Sequence, residues 1–127
     1  MALHDAVRFA VLAIVVQSGH FLEEATTRFN HRLPELLGLA PFSVEIFVAF
    51  NLVWLVIWAI SAWALTRRRA IALFPLWFLG IASAANAVIH PALALATTGY
   101  FPGLFTAPFA GAAGVLLLRR LAGITPR

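Results

Sequence analysis

The chain alternates long apolar runs with short clusters of arginine, proline and glycine. A membrane-spanning helix needs about 20 mostly apolar residues. Four segments qualify as expectations: residues 6–27, 42–66, 70–98 and 102–118. The second is the strongest, because Ile46–Leu65 holds no charged residue. Arg67, Arg68 and Arg69 end it, and Arg119 and Arg120 end the fourth.

The breaks carry their own information. Residues 28–41 read as a connection with Arg28, Arg32 and Glu35 and two prolines, Pro34 and Pro41. The third segment is longer than a bilayer requires. Pro75 fits its first turn, where a missing N–H is harmless. Pro91 predicts a kink or a freed carbonyl upstream, of the kind that neighbouring groups in a bundle re-satisfy. Gly99-Tyr100-Phe101-Pro102-Gly103 has the composition of a tight turn, so the third and fourth helices are expected to be antiparallel neighbours. Ala107/Gly111 and Ala110/Gly114 are small-xxx-small pairs, which predict close helix packing rather than chemistry. The expected fold is all-α: an integral membrane four-helix antiparallel bundle, with residues 1–127 as a single transmembrane domain. A three-helix arrangement would leave the fourth segment peripheral.

Composition agrees with lipid as the solvent. Of 127 residues, 62% are hydrophobic and 11% charged, against about 25% charged in soluble domains. A soluble domain of this size buries too small a fraction of its surface to hide so much apolar material. The net charge of +4 comes from arginine alone among the basic side chains. Nucleic acid is a poor explanation of that excess and is not expected as a partner, because the arginines punctuate apolar runs instead of clustering on one soluble face. The absence of cysteine excludes disulfides and thiolate metal sites.

Arginine placement also predicts orientation. Arg67–Arg69, Arg119, Arg120 and Arg127 flank one side, with Arg8 near the N-terminus, while Arg28 and Arg32 lie on the other. The expectation is a multi-pass protein of the cell membrane with both termini cytoplasmic. Arg8 followed by Phe9–Val16 has the outline of a signal peptide. The apolar segment continues in register through Phe21 and Leu22, so it reads as a retained first helix.

Against this background the polar residues inside the apolar runs stand out, since ionisable groups in a span are costly and point to function. At 100° per residue, Gln17, His20 and Glu24 share an arc of about 60°, with Glu23 about 60° further round. His20 is spaced i,i+3 from Glu23 and i,i+4 from Glu24, which sets imidazole beside carboxylate. The third segment repeats the theme with Ser83, Asn86 and His90 on one face. The second supplies Glu45 near its start and Asn51 deeper in, about 120° apart, so only Glu45 is matched to the site and Asn51 to packing. Antiparallel threading brings His20, Glu23, Glu24, Glu45, His90 and Tyr100 to the outer half, whichever way the protein faces.

Imidazole and carboxylate together suit a divalent zinc, iron or manganese ion. Two histidines and one carboxylate with open positions can be catalytic. The expected ligands are His20, Glu24 and His90, with Glu45 as a further candidate. Glu23 is expected as general base or additional ligand, and Tyr100 as a polar orienting group. The order His-x-x-Glu-Glu differs from the Glu-x-x-His of di-iron bundles. Plainer readings exist for each part. Glu23 and Glu24 fit a headgroup layer, solvated or paired with Arg28. His90 fits a packing residue bonded to a carbonyl freed by Pro91. The whole stripe also fits a proton relay or a lock on helix packing. His4 and His31 lie outside the pattern.

His20-Phe21-Leu22-Glu23-Glu24 matches an H-x-x-E-E motif, His90 a second histidine, and Tyr100-Phe101-Pro102-Gly103 a Y-x-P-G motif. In this order, over nearly the whole chain, they resemble the HXXEE-domain family of small bacterial and archaeal membrane proteins. The resemblance implies a membrane location and a common site at His20, Glu23, Glu24, His90, Tyr100, Pro102 and Gly103, the last two shaping the turn. It implies no reaction. Two functions follow as expectations. One is a metal-dependent enzyme acting on a lipid or another hydrophobic small molecule. The other is a non-enzymatic proton-coupled transporter subunit or lipid- or ion-binding protein, for which four short helices would need a homo-oligomer. The cytoplasmic half of every helix is nearly free of polar residues, which speaks against a continuous path.

Overall fold

The computed structural model describes residues 2–124. Among the described residues there are five α-helices: α1 (Ala2–Thr26), α2 (Phe29–Leu36), α3 (Val44–Thr66), α4 (Leu73–Ala96) and α5 (Ala107–Ala122). A single 3-10 turn, Ala70–Ala72, leads into α4. Three of these segments, Leu3–Thr26, Val44–Thr66 and Ala70–Ala96, are long and apolar enough to cross a membrane. Their unburied surface is correspondingly apolar, with Phe50, Phe74 and Leu95 among the bulky side chains turned outward. The protein is an all-α, multi-pass membrane protein. Arg127, counted in the charge pattern, lies outside the described residues.

The expectation of four helices is corrected in two places. The connection 28–41 contains α2, with Pro34 inside it. Proline in a helix leaves the carbonyl four residues earlier without its partner. Here that carbonyl belongs to Asn30, and the N–H of Phe42 donates to it at 3.2 Å. The Asn30 side-chain amide donates back to the Phe42 carbonyl at 2.5 Å. This two-way clamp tolerates the proline and closes the loop from α2 to α3. Arg28 turns the chain between α1 and α2 in the left-handed region, at φ 66°.

The second correction concerns the fourth segment. Its helix begins at Ala107, five residues later than the 102–118 expectation, and has 16 residues. At 1.5 Å per residue it is about 24 Å long, short of the roughly 30 Å hydrocarbon core. It is nevertheless central. It packs along both α4 and α1, the α4–α5 contact being the most extensive in the molecule. Gly80 faces Leu118 and Gly114, Ala87 faces Gly111, and His90 faces Gly103. Rising numbers on one helix meet falling numbers on the other, so the pair is antiparallel. A Cβ on Gly114 would lie 2.6 Å from the Gly80 carbonyl and 2.7 Å from the Ala84 nitrogen, so this contact is backbone against backbone.

Pro75 sits in the first turn of α4, and Pro91 lies within the helix, which continues to Ala96. The core toward the arginine-rich end is built from small and aliphatic residues: Ala6, Ala10 and Ala13 of α1 with Leu65, Leu76, Leu79, Leu117 and Leu121. Trp63 is exposed, with the Arg67 guanidinium 5.5 Å over its ring.

Candidate metal centre

The buried face of α1 runs Ala6, Ala10, Ala13, Gln17, His20, Glu24, in steps of four and three residues. Its first three members are alanine and its last three are polar. Gln17 is matched by Ser83 of α4, whose hydroxyl donates to the Gln17 side-chain oxygen at 2.8 Å. One turn further along, His20 and Glu24 meet His90 of α4. All three are buried, at 0%, 5% and 3% exposure, and their ligand atoms lie within 4.8 Å of one another.

A single Glu24 oxygen, Oε1, lies 3.5 Å from His20 Nε2 and 3.4 Å from His90 Nε2. The two rings are edge to face, with centroids 4.7 Å apart. Each ring is held through its other nitrogen. His90 Nδ1 is 2.7 Å from the Pro102 carbonyl oxygen. A carbonyl only accepts, so Nδ1 carries the proton in that bond, and Nε2 of a neutral ring presents a lone pair to Glu24. This replaces the reading in which His90 bonds a carbonyl freed by Pro91. His20 Nδ1 is 2.7 Å from the Thr106 hydroxyl, and His20 Nε2 is buried without a hydrogen-bond partner.

The donor set fits a divalent cation. Ligand–metal distances of about 2.0–2.2 Å in a tetrahedron put neighbouring ligand atoms about 3.4 Å apart, which matches the two separations at Glu24. Metal-bound histidines commonly donate their second nitrogen to a carbonyl or carboxylate, as His90 does to Pro102. The orphaned Nε2 of His20 is the kind of buried polar atom that calls for a partner. Gly103 completes the fit. A Cβ there would lie 2.5 Å from His90 Cε1 and 2.8 Å from His20 Cε1, and its φ of 89° suits glycine. The chain therefore holds a buried His–Glu–His cluster geometrically suited to chelating a metal.

Glu23 does something different from its neighbour. Its carboxylate accepts from the Tyr100 hydroxyl at 2.7 Å, the Phe105 N–H at 3.1 Å and the Thr106 N–H at 2.9 Å. It also accepts from the Thr106 hydroxyl. The Phe105 and Thr106 groups stand at the start of α5, where helix N–H groups lack intrahelical partners and negative charge is favoured. Glu23 thus caps α5 from another helix. The connection Thr97–Thr106 is consequently no surface turn. Phe101, Pro102 and Gly103 are buried in it. Arg32 of α2 donates to the Tyr100 carbonyl at 3.3 Å, and its guanidinium lies 5.7 Å over the Phe101 ring. Tyr100 is partly buried, and that burial, ahead of the Glu23 contact, raises its phenol above the ordinary range.

Of the residues expected at the site, His20, Glu24 and His90 come together. Glu23 and Tyr100 lie alongside and bind each other. Glu45 stands exposed in the first turn of α3, outside the cluster, because its side of the helix turns away from α1 and α4. Asn51 is buried and donates to its own helix at the Phe47 carbonyl. His4 is exposed, whereas His31 is half-buried beside Arg28, Arg32 and Glu35. Thr106 was not among the expected residues. The run Thr106-Ala107-Pro108 has the form of a helix start, and placing the helix at Pro102 hid it.

A cavity of about 420 Å³ adjoins the cluster, lined by Phe21, Glu24, Phe29, Phe42, Ile46, Phe47, Phe50 and Asn51. Glu24 is its one ionisable residue, so the carboxylate that closes the cluster also forms part of an aromatic wall.

Fold and cluster together define a small α-helical membrane protein organised round a buried His/Glu/His set. The chain belongs to the family described as proteins of unknown function with an HXXEE motif, whose model matches residues 9–116. That stretch includes every residue of the cluster and the Glu23–Thr106 contacts. Searches of curated proteins and of solved structures found no match.

Proposed function

We propose that the protein is a metal-dependent membrane enzyme acting on a lipid or another hydrophobic small molecule, with zinc, iron or manganese held by His20, Glu24 and His90. The observation that carries this reading is the convergence of two imidazole Nε2 atoms on one carboxylate oxygen in a buried site. Three protein ligands leave coordination positions open, as in catalytic centres. A divalent ion held by this set supplies Lewis acidity to a polar group of the substrate. The aromatic cavity between α1, α2 and α3 receives the apolar part of that substrate, since its walls are Phe21, Phe29, Phe42, Phe47 and Phe50. Glu24 then lies where the apolar and polar parts meet. Glu23 and Tyr100 act as positioning residues, because the Glu23 carboxylate is already engaged by four donor groups.

Transport is the weaker reading. The α1 face that carries the cluster continues toward the arginine-rich end as Ala13, Ala10 and Ala6, which offers no stepping stones for a proton or ion.

Metal analysis of the protein purified in detergent, without chelators and after refilling with Zn²⁺, Fe²⁺ or Mn²⁺, tests the proposal. About one equivalent of one ion is expected in the wild type and none in the His20→Ala/His90→Ala double variant. A wild type that retains no ion, or a double variant that retains as much, overturns it.

A further inference from the structure

Thr106 lies between the two glutamate-centred parts of the site. Its hydroxyl oxygen is 2.7 Å from His20 Nδ1 and contacts the Glu23 carboxylate on its other side. A hydroxyl has one proton to give. Two backbone N–H groups and the Tyr100 hydroxyl already donate to Glu23, so Glu23 is the acceptor in each of its contacts. The Thr106 proton therefore goes to Glu23, the Gly103 carbonyl at 3.5 Å being the more distant acceptor, and the Thr106 oxygen is left to accept. Among the described residues, the donor facing it is His20 Nδ1–H. From this count we infer that Thr106, backed by Glu23, is a positioning residue that fixes His20 in its Nδ1–H tautomer.

The consequence reaches Glu24. With Nδ1 protonated, Nε2 of His20 presents its lone pair to the cluster, where it has no hydrogen-bond partner. His90 reaches the same state by a different device, the Pro102 carbonyl. Both devices come from the one connection that precedes α5. The second glutamate of the H-x-x-E-E motif faces the cluster, and the first acts on it through a hydroxyl. Which nitrogen of a metal-binding histidine is free depends on the bond made by the other one. The tautomer assignment stands on hydrogen-bond geometry alone. Only its effect on affinity rests on the proposed metal.

Nitrogen-15 NMR of histidine-labelled protein in nanodiscs reads the tautomer directly, without metal, at about pH 8 where imidazole is neutral. The wild type is expected to show His20 as Nδ1–H. Thr106→Val removes the acceptor and is expected to shift His20 toward Nε2–H. Thr106→Ser keeps the hydroxyl and is expected to restore the wild-type signal. Should the valine variant not fold, Thr106→Ala removes the hydroxyl without added bulk. In a second arm, Zn²⁺ affinity is expected to fall about 10- to 100-fold in the valine or alanine variant and to stay near wild type in the serine variant. A wild-type Nε2–H tautomer overturns the inference, as does an unchanged Nδ1–H signal without the hydroxyl. If the tautomer pattern holds and the wild type binds no metal, the proposed function fails and the role of Thr106 stands.

Discussion

The two ends of the bundle solve the same packing problem by different means. Along α1, one buried face serves both, in the same three- and four-residue steps: Ala6, Ala10 and Ala13 at one end, Gln17, His20 and Glu24 at the other. Toward the arginine-rich end, α4 and α5 meet through Gly80 and Gly114, backbone against backbone. At the site end the helices are joined by side chains: Gln17 with Ser83, His20 with Thr106, and Glu23 with the start of α5. Apolar surface gives helices no reason to associate in lipid, where close packing and hydrogen bonds must do it. One end relies on close packing and the other on polar bonds. An alanine face tolerates substitution that preserves volume, whereas a polar face requires each partner in place. The buried His–Glu–His cluster lies on the second.

The sharpest way to break this division is to remove Glu23. Glu23→Ala leaves the N–H groups of Phe105 and Thr106 and two hydroxyls without their acceptor. These donors are partly buried or exposed, so the loss is on the scale of a lost helix cap, about 0.5–2 kcal/mol. A destabilisation of about 2 kcal/mol is expected, read by thermal or denaturant unfolding in detergent, with Glu23→Gln intermediate. A loss below about 1 kcal/mol would mean that the α5 start is held by something else.

A pair of glycine substitutions separates the two ends. Gly114→Ala forces α4 and α5 apart, and overpacking of this kind costs about 1–3 kcal/mol. Its metal uptake is expected to remain near wild type. Gly103→Ala places a Cβ against both imidazoles at a backbone φ of 89°. It is expected to lower Zn²⁺ affinity at least about tenfold, the scale on which supporting groups act. Equal effects of the two on metal uptake would show that the ends are one cooperative unit.

Smaller effects sharpen the picture. Tyr100 is the chain's single tyrosine, so tyrosinate absorbance reports it alone. Burial raises its folded pKa above the usual value of about 10. Above that pH the unfolded chain releases the proton while the folded chain still holds it. The stabilisation is therefore complete below about pH 10 and is lost as pH rises through the folded value. Tyr100→Phe is expected to remove this alkaline decline. The smallest effect is expected from Glu45→Gln, whose exposed side chain should leave metal content and stability unchanged.

Much of this architecture was legible in the chain. Runs such as Ile46–Leu65 are long and apolar enough to cross a membrane, and helical periodicity by itself placed Gln17, His20 and Glu24 on one face. Antiparallel threading matched the depth of His90 to that of His20. Periodicity is a local property and lipid imposes it strongly, so these features are written into the order of residues. The remainder depended on contacts between segments far apart in sequence. Pro34 within α2 made sense only with the Phe42 N–H bonded to the carbonyl it freed. Glu23 and Glu24 are adjacent and chemically identical, and periodicity set Glu24 on the face of His20, but it left the task of Glu23 open. Tertiary structure decided that by placing the start of α5 against Glu23 and His90 against Glu24. It likewise set Glu45 aside and brought in Thr106, because hydrogen-bond partners 80 or more residues away are set by packing and leave no periodic trace.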